Sequence, residues 1–192
     1  ETRVKPPADS KLLRDKPALD EAALDAAVAE AKAARQRGEL KPLATTPEEF
    51  ARQLGAFNYR LVSFVRQFPE RPEPGSADEQ TYDNTIRQLA AQYANLVSDE
   101  ELQARLAEDT PDQLAHLQAH LAAGSLDLSA DVTGKLEVIL QRVYAKLFPL
   151  ADDDPDADTK LDAATEEIQK ELATLLTPEQ SQRLEIMGTD QV

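Results

Sequence analysis

The chain of 192 residues carries 41% hydrophobic and 30% charged residues, which suits a single folded domain with its own apolar core. It contains no cysteine, so disulfides, thiol catalysis and cysteine-based zinc sites are excluded. No apolar run reaches the roughly 18 residues that a membrane-spanning helix needs.

The formal net charge of −15 is unevenly distributed along the chain. Residues 1–71 contain 13 basic and 11 acidic side chains, whereas residues 72–192 contain 8 basic and 25 acidic ones. A negative field of this kind repels nucleic-acid backbones and anionic membranes. It attracts metal ions and partners with a basic surface. The alternative is that the charge serves solubility alone.

The N-terminal part of the chain divides into an arm and a helix. Three prolines among residues 1–17 predict an extended arm, because proline interrupts a helix. Residues 18–37 are rich in alanine and precede Gly38, which predicts a helix with a glycine C-cap.

The segment 46–68 is predicted to be the central helix of the fold. It opens with Thr46, Pro47 and two glutamates, the pattern of a helix N-terminus. Its large apolar residues recur at alternating steps of four and three, which is one face of a helix; they are Phe50, Leu54, Phe57, Leu61, Phe64 and Phe68. Its small residues Ala51 and Gly55 are expected to face the alanine-rich first helix.

Three more helices are predicted before residue 125. Residues 77–97 repeat the apolar spacing of the central helix and should pack antiparallel to it. Ser98 should cap a shorter helix over residues 99–108. Thr110 should begin another, with Leu114, Leu117 and Leu121 as its apolar face and an end at Gly124. The two short helices predict a helical hairpin subdomain over residues 98–124.

The C-terminal part of the chain predicts three helices and an acidic loop. Ser129 caps an amphipathic helix over residues 130–148, and residues 152–158 form the loop. The last long helix covers residues 158–176 and carries Leu161 in its apolar stripe; a short helix follows from Thr177. The predicted fold is an all-α antiparallel bundle of four to five long helices with one short hairpin, and residues 18–192 form one domain.

Both histidines fall in one predicted helix. Asp112, His116 and His120 follow one another at steps of four, so they share one side of that helix. Two histidines one turn apart can hold Zn²⁺ or Cu²⁺, and a carboxylate one turn earlier can complete a three-ligand face. The alternative is that both histidines are polar residues flanking the leucines of an amphipathic helix.

The acidic loop offers a second candidate metal site. Asp152, Asp154, Asp156 and Asp158 alternate as do the first ligands of an EF-hand calcium loop. The sixth and twelfth positions are Ala157 and Ala163 instead of glycine and glutamate, so the pattern predicts loose Ca²⁺ association at most. The alternative is a solvated acidic loop before a helix N-terminus, where carboxylates are favoured.

The stretch LTPEQ at residues 176–180 resembles the LTxxQ motif of the periplasmic Spy/CpxP family. Members of that family are small helical chaperones and stress sensors, and they include zinc-binding relatives. The resemblance implies export and a binding function. With a chain that begins at Glu1 rather than Met, it favours a periplasmic or otherwise exported location over the cytoplasm.

The motifs of common enzyme classes are missing from the sequence. It contains no GxSxG elbow, no glycine-rich phosphate loop and no HExxH zinc motif. The expected function is therefore non-enzymatic: an interaction protein such as an adaptor, inhibitor or chaperone-like protein, using its acidic C-terminal surface. The alternative is a metal-binding helical protein of the Spy/CpxP type. No nucleic acid is expected among the partners, and the oligomeric state stays open.

Overall fold

The computed structural model describes residues 21–98, 110–148 and 156–188. These residues form seven helices and no strand, which confirms the predicted all-α class. The helices are α1 Glu21–Gln36, α2 Pro47–Gln67, α3 Ala77–Val97, α4 Pro111–Leu126, α5 Ala130–Leu147, α6 Ala157–Leu175 and α7 Pro178–Met187. The predicted arm over 1–17 and the predicted helix over 99–108 lie outside the described residues. In the described part of the chain, no helix has the length and apolarity to cross a bilayer.

The contacts divide the chain into two compact units. The first contains Glu1–Phe50 and Arg60–Ala107, and the second contains Ala51–Tyr59 and Glu108–Val192. The continuous helix α2 therefore contributes residues to both units. The single domain over residues 18–192 and the hairpin over residues 98–124 stay predictions.

The first unit joins α1, α3 and the C-terminal part of α2. The Arg35 guanidinium donates to the backbone oxygen of Asn95 at 2.8 Å and to its Oδ1 at 2.7 Å, which fixes α1 on α3. The ring of Tyr82 lies 5.2 Å from the ring of Phe64 and 5.6 Å from that of Phe68. Further along, Arg60 donates to Gln92 at 3.0 Å. The order of these contacts is that of antiparallel helices, as expected for α2 and α3.

The second unit is built on the alanine face of α4. Its buried residues are Ala115, Ala119, Ala122, Ala123, Ser125 and Leu126. The predicted apolar face of Leu114, Leu117 and Leu121 was wrong, since these leucines are only partly buried. Small side chains permit a close approach of helix backbones. None of the three leucines belongs to the buried cluster that contains the alanines.

Gly55 of α2 and Gly124 of α4 form a close helix crossing. A Cβ atom on Gly55 would meet the carbonyl of Leu121 and lie 2.9 Å from the Ser125 nitrogen. The Ser125 hydroxyl, itself buried, donates to the Gly55 carbonyl at 3.1 Å. The expectation that Gly55 faces the first helix was therefore wrong. The predicted helix end at Gly124 was also wrong, because α4 continues to Leu126. Its C-cap residue is Asp127, whose backbone is in the left-handed conformation with φ 57°.

Helices α5 and α6 are joined by ion pairs on their exposed sides. Arg142 contacts Glu167 at 2.9 Å and Glu171 at 3.2 Å, and Lys146 contacts Glu167 at 2.7 Å. The hydrogen bond from Lys146 lowers the pKa of the Glu167 carboxyl. Leu161 was predicted in the apolar stripe of α6 but is 54% exposed. The buried residues of this helix are Ala164 and Leu172.

Candidate metal centre

Three potential metal ligands meet where α4 lies beside α5. They are His116 and His120 of α4 and Glu137 of α5, and their ligand atoms all lie within 4.8 Å of one another. The Nδ1 atom of His116 is 3.0 Å from Oε1 of Glu137. The two imidazole rings are tilted by 59° with centroids 4.7 Å apart. The donor atoms thus converge from two helices.

The local sequence explains why these side chains flank the core. Ala115 and Ala119 of α4 and Leu136 and Leu140 of α5 belong to one buried cluster. His116, His120 and Glu137 each follow one of these core residues directly. A step of one residue turns a helical side chain by about 100°, so the three are placed at the margin of the contact. All three are partly buried there.

Its position at the margin of the contact between α4 and α5 leaves the cluster accessible to water. The side chain of His116 is 34% exposed and that of Glu137 is 25% exposed. Gln141, one turn after Glu137, has its amide nitrogen 3.4 Å from the same Oε1 that faces His116. The same carboxylate oxygen is therefore contacted both by the imidazole and by an amide of its own helix.

The donor set suits a divalent transition metal. Zn²⁺ takes imidazole nitrogen and carboxylate oxygen at about 2.0–2.2 Å in tetrahedral geometry. Neighbouring ligand atoms around such an ion are therefore about 3.4 Å apart. A group whose donor atoms lie within 4.8 Å needs side-chain adjustments of roughly an ångström to reach that geometry.

The structure brings together two of the three residues that the sequence pattern predicted. His116 and His120 are in the cluster, whereas Asp112 is exposed and is not a member of it. Asp112 precedes His120 by eight residues, a rise of about 12 Å along the helix. Glu137 was missed because its nearness to the histidines depends on how α5 packs on α4.

Only part of the acidic loop falls within the described residues. Asp152 and Asp154 lie outside the described residues. Asp156 is the N-cap residue of α6 without a side-chain capping bond, and Asp158 is exposed in the first turn. Within the described ranges, neither belongs to a group of metal-ligand side chains. The Ca²⁺ association stays a prediction.

The LTPEQ stretch at residues 176–180 begins α7. Thr177 and Gln180 cap each other's backbone N–H groups, and the Gln180 amide donates to the Asp127 carbonyl at 3.1 Å. The stretch therefore attaches α7 to the end of α4. Comparisons of the whole chain with protein-family models, with curated proteins and with solved structures give no match.

Proposed function

We propose that this protein binds a divalent transition metal ion through His116, His120 and Glu137, and Zn²⁺ is the first candidate. The observation that supports this function is the convergence of three donor atoms from two helices within 4.8 Å. Histidine pairs one turn apart are a recurring ligand arrangement, and a carboxylate from a second element completes a three-ligand set. The net charge of −15 favours cations generally.

A bound ion would join α4 to α5 more strongly than the direct contact between His116 and Glu137 that it replaces. The direct contact between His116 and Glu137 is partly exposed and contributes at most about 1 kcal/mol. A metal that binds only the folded arrangement adds its binding free energy to the stability of the second unit.

Metal-dependent thermal stability tests the proposal. Protein freed of metal with a chelator should be melted with and without Zn²⁺. At a free Zn²⁺ concentration 100 times the dissociation constant, stability should rise by about 2.7 kcal/mol. The variants His120→Gln and Glu137→Gln should lose most of this increase, because each removes one ligand.

The matched control is Glu166→Gln, an exposed glutamate of α6 outside the cluster. It should retain the full Zn²⁺ response. An unchanged melting temperature of the parent protein at millimolar Zn²⁺ would refute the proposal. A response to Ca²⁺ that persists in His120→Gln would instead assign ion binding to the acidic loop.

A second candidate function is a non-enzymatic interaction protein whose partner has a basic, partly apolar surface. Exposed apolar side chains on α5 and α6 favour it, since Val138 is 61% and Leu161 is 54% exposed. Acidic residues Asp158 and Asp162 surround Leu161 in the same helix. Such a mixed surface suits a basic amphipathic helix.

Titration with a basic amphipathic peptide tests this second function. Binding should weaken as salt is raised, because screening removes the charge attraction. Leu161→Asp should weaken it at constant salt, while Ala163→Asp, a comparable change at an exposed position on the opposite side of the same helix, should preserve it. Equal binding by both variants would argue against a role for Leu161, and no binding at low salt would dismiss the candidate.

A further inference from the structure

We propose that a metal ion at this cluster keeps one coordination position open to solvent, which takes a small monodentate anion from outside the protein. This inference rests on the proposed metal-binding function. It adds that the site is an exchangeable ligand-binding centre and not a closed structural one.

The first argument is the number of ligands. Structural zinc sites have four protein ligands, whereas sites with two histidines and one glutamate keep a water or substrate in the remaining position. Throughout the described ranges, the cluster contains His116, His120 and Glu137 and no fourth side chain of a metal-binding type. Asp112 is exposed and does not belong to the cluster.

The second argument is the position of the cluster. The core side of α4 is occupied by Ala115 and Ala119, which are 0% exposed. The histidines and Glu137 lie at the margin of that core and are all partly exposed. An ion held between them therefore has protein on its core side and water within reach on the other.

The third argument is charge. Two neutral imidazoles and one carboxylate leave a divalent ion with one uncompensated positive charge. A small anion neutralises that charge locally, although the chain as a whole is negative. The ligand class is thus a monodentate anion, of which a carboxylate is a biological example and azide is a suitable probe.

Cobalt substitution provides the experiment. Co²⁺ replaces Zn²⁺ in such sites, and its visible absorption reports the number and type of its ligands. The Co²⁺-loaded protein should show a saturable spectral change with sodium azide. Sodium perchlorate at the same ionic strength, which coordinates weakly, should produce none. Asp112→Asn should bind Co²⁺ with an unchanged spectrum and keep the azide response.

The outcomes separate this inference from the function on which it rests. A Co²⁺ spectrum that azide does not alter at any concentration would overturn the open position and leave metal binding intact. A spectrum that changes in Asp112→Asn before azide is added would assign the position to Asp112, which also overturns the inference. Failure of Co²⁺ to give any protein-dependent spectrum would overturn both.

Discussion

Replacing Gly124 by alanine is expected to destabilise the second unit by about 3 kcal/mol or more. A Cβ atom at this position would meet the carbonyl of Arg52 and lie 2.9 Å from the Ala56 nitrogen. Both neighbours are backbone atoms in the middle of α2, so no side-chain rotation relieves the overlap. The helices must separate, and the contact around the crossing is lost. Urea unfolding followed by far-UV circular dichroism measures the change.

Gly55→Ala and Gly134→Ala make this prediction specific. Gly55→Ala should have a similar cost, because its Cβ would meet the backbone of Leu121 and Ser125 in the same crossing. Gly134 lies in α5, where an added Cβ meets nothing within 4 Å. Gly134→Ala should therefore increase stability by about 0.5–1 kcal/mol, the usual gain inside a helix. If all three variants had similar stability, the close crossing would be wrong.

Truncating Phe57 to alanine is expected to cost about 3–5 kcal/mol. Phe57 is 1% exposed and is among the largest buried side chains of the described residues. Its removal forfeits aromatic burial and leaves a cavity that helices joined at a tight crossing cannot easily close. The same urea measurement, with thermal melting as a second readout, determines the loss.

Phe148→Ala is the matched control for Phe57→Ala. Phe148 is the C-cap residue of α5, and it is 46% exposed. Its truncation should therefore change stability by less than about 1 kcal/mol. Phe57→Leu retains most of the volume and should cost about half as much as Phe57→Ala. A Phe57→Ala variant as stable as Phe148→Ala would contradict the burial of Phe57 in the second unit.

The bounds of the helices could be read from local signals. Thr46, Ser129 and Thr177 each accept a hydrogen bond from a backbone N–H at the predicted helix start. The apolar stripe of α2 is buried except at Phe68, which is partly buried. Capping and helical pitch act within a few residues of chain, so the one-dimensional pattern contains the information needed to predict them.

Two of the three ligands of the candidate metal site were predictable for the same reason. His116 and His120 belong to one helix, and their shared side follows from a separation of four residues. Glu137 is 17 positions beyond His120 in the numbering of the chain. Its place depends on the rotation of α5 against α4, which no local signal specifies.

Residue order alone established that this protein is helical, where most of its helices begin and end, and that its two histidines lie together. Packing decided which side of α4 is buried, that α2 and α4 cross closely at Gly55 and Gly124, and which carboxylate reaches the histidines. The physical reason is that an alanine face can be buried only where another helix comes close, and here the neighbour is α5 with Leu136 and Leu140. That packing is decided between helices, and it places Glu137, the neighbour of Leu136, beside His116.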